Sequence, residues 1–196
     1  MSAQPQPFPV WGQPLFGGGV HTASDVERIP DDGFRYEVYR GVLIRMPGTG
    51  GEHGFICQFI CEVLAAYWRS LGERYRVLQN VGFDFTFSGD PAQTTMLIPD
   101  VAVSSENIRY GPGIVQTPPM LAVEVVSHSE YRPEMAMKAN FYLNGGVKEV
   151  WVVWPKTRTV DVWTASNSFI TLAEPQVITS AVLPGFGSAV RVFFDG

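Results

Sequence analysis

Apolar and polar residues change period several times along the chain, and each change marks an element. The longest stripe is Phe55, Ile56, Phe59, Ile60, Val63, Leu64, Tyr67, Trp68 and Leu71. It repeats at helical spacing over about five turns, with Glu62 and Arg69 outside it and Gly72 as a stop. Strand-like runs at 36–39 and 42–44 flank Arg40-Gly41 and predict a hairpin. Residues 76–79 and 81–87 predict two further strands, the second alternating Val81, Phe83, Phe85 and Phe87 with Gly82, Asp84 and Thr86. Asp84 is then most simply on a solvated face. More strands are predicted around Ile98, Val101 and Val103, at 121–126, at 150–154 and at 160–163, with an edge strand at 169–172. A second helix is predicted at 132–143, with Pro133 tolerated in its first turn and Asn144-Gly145-Gly146 ending it. A short apolar segment at 190–194 is expected to close the core. The order strands, helix, strands, helix, strands predicts a mixed α/β (α+β) domain built on a central sheet.

A chain of 196 residues with 45% hydrophobic content can bury one sizeable core. Residues 1–22 carry many Pro and Gly residues and read as an N-terminal arm, leaving 23–196 as a single domain. Trp11, Leu15 and Phe16 are apolar enough to dock that arm on the body or on a second subunit. No run of 18 apolar residues exists, so no membrane partner is expected. The first basic residue is Arg28, which leaves no basic leader and predicts a cytoplasmic setting. The net charge of −5 gives no general attraction for nucleic acid, so any such contact needs a local basic patch or a metal. The loop at 104–119 is long for a passive connection. Arg109 and Tyr110 are its candidate contacts, although a plain surface loop is the simpler reading.

Chemistry concentrates at two carboxylates. In the strand at 121–126, Leu121, Val123 and Val125 alternate with Ala122, Glu124 and Val126, and a buried Glu needs a partner. Asp100 follows Pro99 in the neighbouring apolar run. Two carboxylates on adjacent strands repel, and a hard divalent cation relieves the repulsion. Glu37 is a third carboxylate in a strand, and periodicity leaves a solvent-facing position equally open. His53 could reach a site or make a local hydrogen bond, and the local role is the simpler. His53, Cys57 and Cys61 share a spacing of four, but small residues on a packed helix face explain the cysteines better than a metal stripe. Glu134, Lys138 and Tyr142 fall on one helix face, a pattern that usually means a solvated surface. Their place on the helix after the Glu124 strand brings Lys138 into consideration.

Together, these residues resemble a family. Tyr36-Glu37-Val38-Tyr39-Arg40-Gly41, His53 at the helix start, Pro99-Asp100-Val101, Glu124-Val125-Val126-Ser127, Lys138 with Tyr142, and Gly146, Glu149 and Trp151 carry the resemblance. They are similar to the Uma-type restriction endonucleases, a branch of the PD-(D/E)XK nuclease superfamily, over about 24–163 and more weakly through 183–186. The resemblance implies a restriction-endonuclease-like core, a central mixed sheet flanked by helices. It implies Asp100, Glu124 and the Val125 carbonyl as ligands of Mg²⁺ (or Mn²⁺), with Glu37 and Lys138 completing the catalytic set. His53, Ser127 and Tyr142 are accessory candidates. The superfamily's usual Lys, two after the Glu, is here Val126; the branch places it on the next helix, where Lys138 stands. Glu134 replaces the Asp often found four before that Lys. The implied activity is metal-dependent hydrolysis of phosphodiester bonds in nucleic acid, DNA before RNA, by a homodimer where both strands are cut. The alternatives are a catalytically silent nuclease-fold module that binds nucleic acid or a protein, and a scaffold.

Overall fold

A computed structural model describes residues 12–15, 19–72, 76–86, 90–104, 113–127 and 131–195. Trp11, Phe16, Phe87, Arg109 and Tyr110 lie outside these residues. The first elements are β1 (Gln13–Leu15), α1 (Ala23–Val26), β2 (Tyr36–Tyr39), β3 (Val42–Arg45) and α2 (Gly51–Ser70). Then come β4 (Arg76–Gln79), β5 (Phe83–Asp84), β6 (Met96–Leu97), β7 (Val101–Ser104), β8 (Leu121–Val125) and α3 (Arg132–Asn144). The chain finishes with β9 (Glu149–Trp154), β10 (Thr159–Ala165), β11 (Ser168–Ala173), β12 (Val177–Thr179), β13 (Gly187–Ala189) and α4 (Val192–Asp195). No helix among the described residues is long and apolar enough to cross a membrane.

The main sheet has six strands in the order β11-β10-β9-β8-β7-β4. Its β8–β9 pair is parallel and the other neighbours are antiparallel. A parallel pair needs a crossover, and α3 supplies it. The period of two sorts the sheet's side chains between two helices. Val101, Val103, Leu121, Val123, Val125, Trp151 and Val153 pack with Ile56, Ile60, Leu64 and Trp68 of α2. Ala102, Ala122, Val150 and Val152 pack with Met135, Ala139 and Tyr142 of α3. By the same alternation Glu124 shares the face of Ala122, and it projects toward α3.

The structure narrows or moves several expectations. Phe55 and Leu71 sit at the margins of the helical stripe and are 67% and 50% exposed. Within the segment 81–87 the strand found among the described residues is Phe83–Asp84, which pairs with β6 and is bridged to Val115. Phe83 and Phe85 still point inward. Besides the central sheet there is a second, five-stranded sheet, β1-β3-β2-β6-β5. Part of the segment read as an arm belongs to it: β1 pairs antiparallel with β3. The segment expected at 190–194 becomes a turn and the short helix α4. Its Phe193 stacks on Trp151 at 5.8 Å and closes the α2 side of the core.

α3 ends at Gly145 and Gly146, and Gly146 has a φ of +96°, which favours glycine. A Cβ on Gly145 would lie 2.6 Å from the ring of buried Phe85. Gly145→Ala is therefore expected to cost about 1–3 kcal/mol through overpacking, read as a lower urea midpoint with unchanged slope. An unchanged midpoint would show that Phe85 has room to move.

Candidate active site between the two sheets

The proposed site residues come from several elements, and the two sheets and two helices bring them together. Asp100 sits at the bend entering β7, and Glu124 is in β8 beside it. Glu37 arrives from β2 of the smaller sheet, His53 from the first turn of α2, and Lys138 and Tyr142 from α3. Glu37 is 0% and Lys138 1% exposed, so neither is the solvated residue its local pattern allowed. On α3 the buried face is Met135, Lys138, Ala139 and Tyr142, an ordinary helical stripe in which an ammonium takes an apolar position.

The geometry explains how that charge is tolerated. Lys138 Nζ lies 2.9 Å from Glu124 Oε1 and 3.2 Å from Glu37 Oε1. The Tyr142 hydroxyl donates to Glu124 Oε1 at 2.6 Å, and the Ile98 N–H donates to Glu37 Oε1 at 2.8 Å. Asp100 Oδ2 accepts from the Val125 N–H at 2.8 Å and meets His53 Nε2 at 3.1 Å. Asp100 Oδ1 faces the half-buried Arg35 at 3.7 Å. Val126 packs into the apolar cluster under α3, and the Lys138 amine reaches Glu124 from the helix.

Burial acts on the two strand carboxylates alike, but their partners differ. Burial pushes Asp100 up, yet the His53 hydrogen bond and charge, the Val125 amide and the Lys138 ammonium together hold it below the usual Asp value. Glu124 is pushed up to about 8 by burial, against the pull of Lys138, with Asp100 and Glu37 adding like-charge repulsion. Burial also raises the Tyr142 hydroxyl, helped by the negative charge of Glu124. Two of the three carboxylates, those of Glu37 and Glu124, thus contact one fully buried ammonium.

A cavity of about 20 Å³ opens onto Glu37, His53, Asp100, Glu124 and Lys138, with Val125 and Ser127 also in its wall. It has room for one water or ion. An adjoining cavity of about 200 Å³ shares His53 and Ser127 with it and extends to Pro155. Closely set carboxylate oxygens with an excess of negative charge are the donor set of a hard cation such as Mg²⁺, so these residues fit that ion. A softer set also exists: ligand atoms of His53, Cys57 and Asp100 lie within 4.8 Å of one another. Burial pushes the Cys57 thiol up, and a protonated thiol is a poor ligand.

Sequence reasoning misses Arg35, which lines the small cavity. The available signal is its place two residues before Glu37, which puts both side chains on one side of an extended chain. Cys57 is buried, as its packing role requires, and its Sγ also lies 3.5 Å from His53 Nδ1.

The mixed sheet has a helix on each face and an acidic cavity beside it, an α+β fold. The same fold occurs in a solved structure described as "a putative nuclease belonging to DUF820" from Anabaena variabilis. That structure is 18% identical, with a TM-score of 0.73, covering 89% of this chain and 97% of that one. The chain belongs to the family described as "Uma2: Putative restriction endonuclease", whose model matches residues 23–191. No curated protein matches the sequence.

Proposed function

We propose that this protein is a divalent-metal-dependent nuclease that hydrolyses phosphodiester bonds in nucleic acid, with DNA the expected substrate. The observation that carries the reading is the Lys138 ammonium, buried between Glu37 and Glu124 on the cavity that Asp100 also lines. Asp100, Glu124 and the Val125 carbonyl would hold Mg²⁺ or Mn²⁺. That ion supplies Lewis-acid polarisation of the phosphoryl oxygen and a more acidic water.

The protein's own groups do the rest. Lys138 orients the attacking water and offsets negative charge as it builds on the phosphoryl oxygens. Glu37 holds Lys138 in place from the other sheet. His53 fixes the Asp100 carboxylate, and Tyr142 fixes that of Glu124, as outer-shell partners do for metal ligands. Ser127 and Arg35 flank the approach. Cutting both strands of a duplex calls for two such sites, for which a homodimer is the matching assembly.

The test is incubation of the purified protein with plasmid, linear duplex, single-stranded DNA and RNA in Mg²⁺ or Mn²⁺. Cleavage by the wild type and at least about a hundredfold less by Asp100→Asn is the expected result. Cleavage that survives in Asp100→Asn overturns the site; no cleavage of any substrate favours the silent binding module. Tyr142→Phe tests the outer shell. It removes only the hydroxyl on Glu124 and is expected to weaken Mg²⁺ binding by about 10–100-fold in calorimetry. Unaltered binding would remove Tyr142 from the site.

A further inference from the structure

A second cavity, of about 230 Å³, lies between the start of α3 and strands β9–β11. Arg132, Met135, Trp154, Asp161, Trp163 and Phe169 line it. The Trp163 and Phe169 rings stack at 4.4 Å and 27°. The Arg132 guanidinium lies 4.4 Å over the Trp154 ring and 3.0 Å from Asp161 Oδ2. Asp161 is itself 2% exposed and also accepts from Trp154 Nε1 at 2.7 Å and Thr171 Oγ1 at 2.6 Å. This arrangement holds Arg132 and Trp154 rigidly at one wall.

The size and the walls of the cavity indicate a ligand. It is larger than the roughly 150 Å³ apolar cavity that accepts benzene. Aromatic walls and this volume select a flat ring system. Arg132 adds a half-exposed cation for an adjoining phosphate. The position is suitable as well. Trp154 precedes Pro155, which ends the 200 Å³ cavity that starts at His53 and Ser127 of the carboxylate site.

We propose that this cavity receives one unpaired nucleobase of the nucleic-acid substrate, an inference that rests on the nuclease reading. The base could be extruded from a duplex or come from a single strand; the ring chemistry is the same.

The test uses the full chain in EDTA, with nucleosides as probes and ligand-observed NMR as the readout. Saturable binding is expected, weakened about tenfold by Phe169→Ala through lost stacking. Binding that does not saturate, or that is equal in the wild type and Phe169→Ala, overturns the proposal. Oligonucleotide anisotropy then identifies the source. A Phe169→Ala defect on single strands alone indicates an already unpaired base, and a defect on paired duplex too indicates extrusion. Cleavage without nucleoside binding sinks the pocket alone, while nucleoside binding without cleavage sinks the nuclease reading alone.

Discussion

Replacing Lys138 with alanine is expected to destabilise the fold by about 3–5 kcal/mol and to slow nucleic-acid cleavage severely. The ammonium is 1% exposed and contacts Glu37 and Glu124, both of them buried. Its removal leaves Glu37, Asp100 and Glu124 facing one another with no buried cation. Removing one partner of a buried ion pair costs far more than the pair contributes, because the remaining charge stays desolvated. The loss should shrink at acid pH, where the stranded carboxyls take up protons. Lys138→Met, which keeps the apolar stem, separates packing from charge. Urea unfolding at about pH 5 and pH 9.5, on either side of the Glu124 titration, reads the effect. Equal stability of Lys138→Met and wild type at the higher pH would mean that the ammonium does not compensate the acidic cluster. For cleavage the expected loss is about 10²–10⁴-fold, the usual scale for a positioned proton-transfer group.

The second large effect concerns Glu124 and has the opposite sign for stability. Its folded pKa is about 8, raised from 4.5 by burial with Asp100 and Glu37 opposing its charge. A carboxyl with a raised folded pKa contributes stability that is fully present below the unfolded value and is lost as pH rises through the folded one. The metal-free protein should therefore lose stability between about pH 4.5 and pH 8, at roughly 1.4 kcal/mol per pH unit within that window. Glu124→Gln should remove that slope and be more stable than wild type at the upper end of the window. It should also lose Mg²⁺ binding and cleavage. Mg²⁺ at about a hundred times its dissociation constant should restore about 2.7 kcal/mol to the wild type and nothing to the variant. Asp100 behaves in reverse. Its folded pKa is lowered, so its contribution is present above the unfolded value and lost as pH falls through the folded one. Asp100→Asn should then destabilise at neutral pH. Thermal unfolding from about pH 2 to pH 10, with and without Mg²⁺, measures all three proteins across both titrations. An unchanged slope in Glu124→Gln would assign the pH dependence to another group.

These effects hinge on burial, and burial is where sequence and structure part. The periods of α2, β8, β9 and β10 are readable because each element presents a wide apolar face to one neighbour, and such a face dominates local spacing. The order of elements and the Gly145-Gly146 stop are readable for the same reason. Asp100 and Glu124 stand out because a carboxylate beside valines in a strand is costly without a partner. Local pattern does not decide whether Glu37 and Lys138 face water. A lysine between a glutamate and a tyrosine at helical spacing looks like a surface, and it turns inward here only because β2 and β8 bring two carboxylates to meet it. The second sheet, the docking of β1 and the contact between His53 and Asp100, 47 residues apart, depend on pairing across long loops. Local spacing along the chain settles the two long helices and the core strands, and it marks two carboxylates that need a partner. Which charges share a single desolvated space is settled only by the packed arrangement, because desolvation and charge pairing depend on neighbours in space, not on neighbours along the chain.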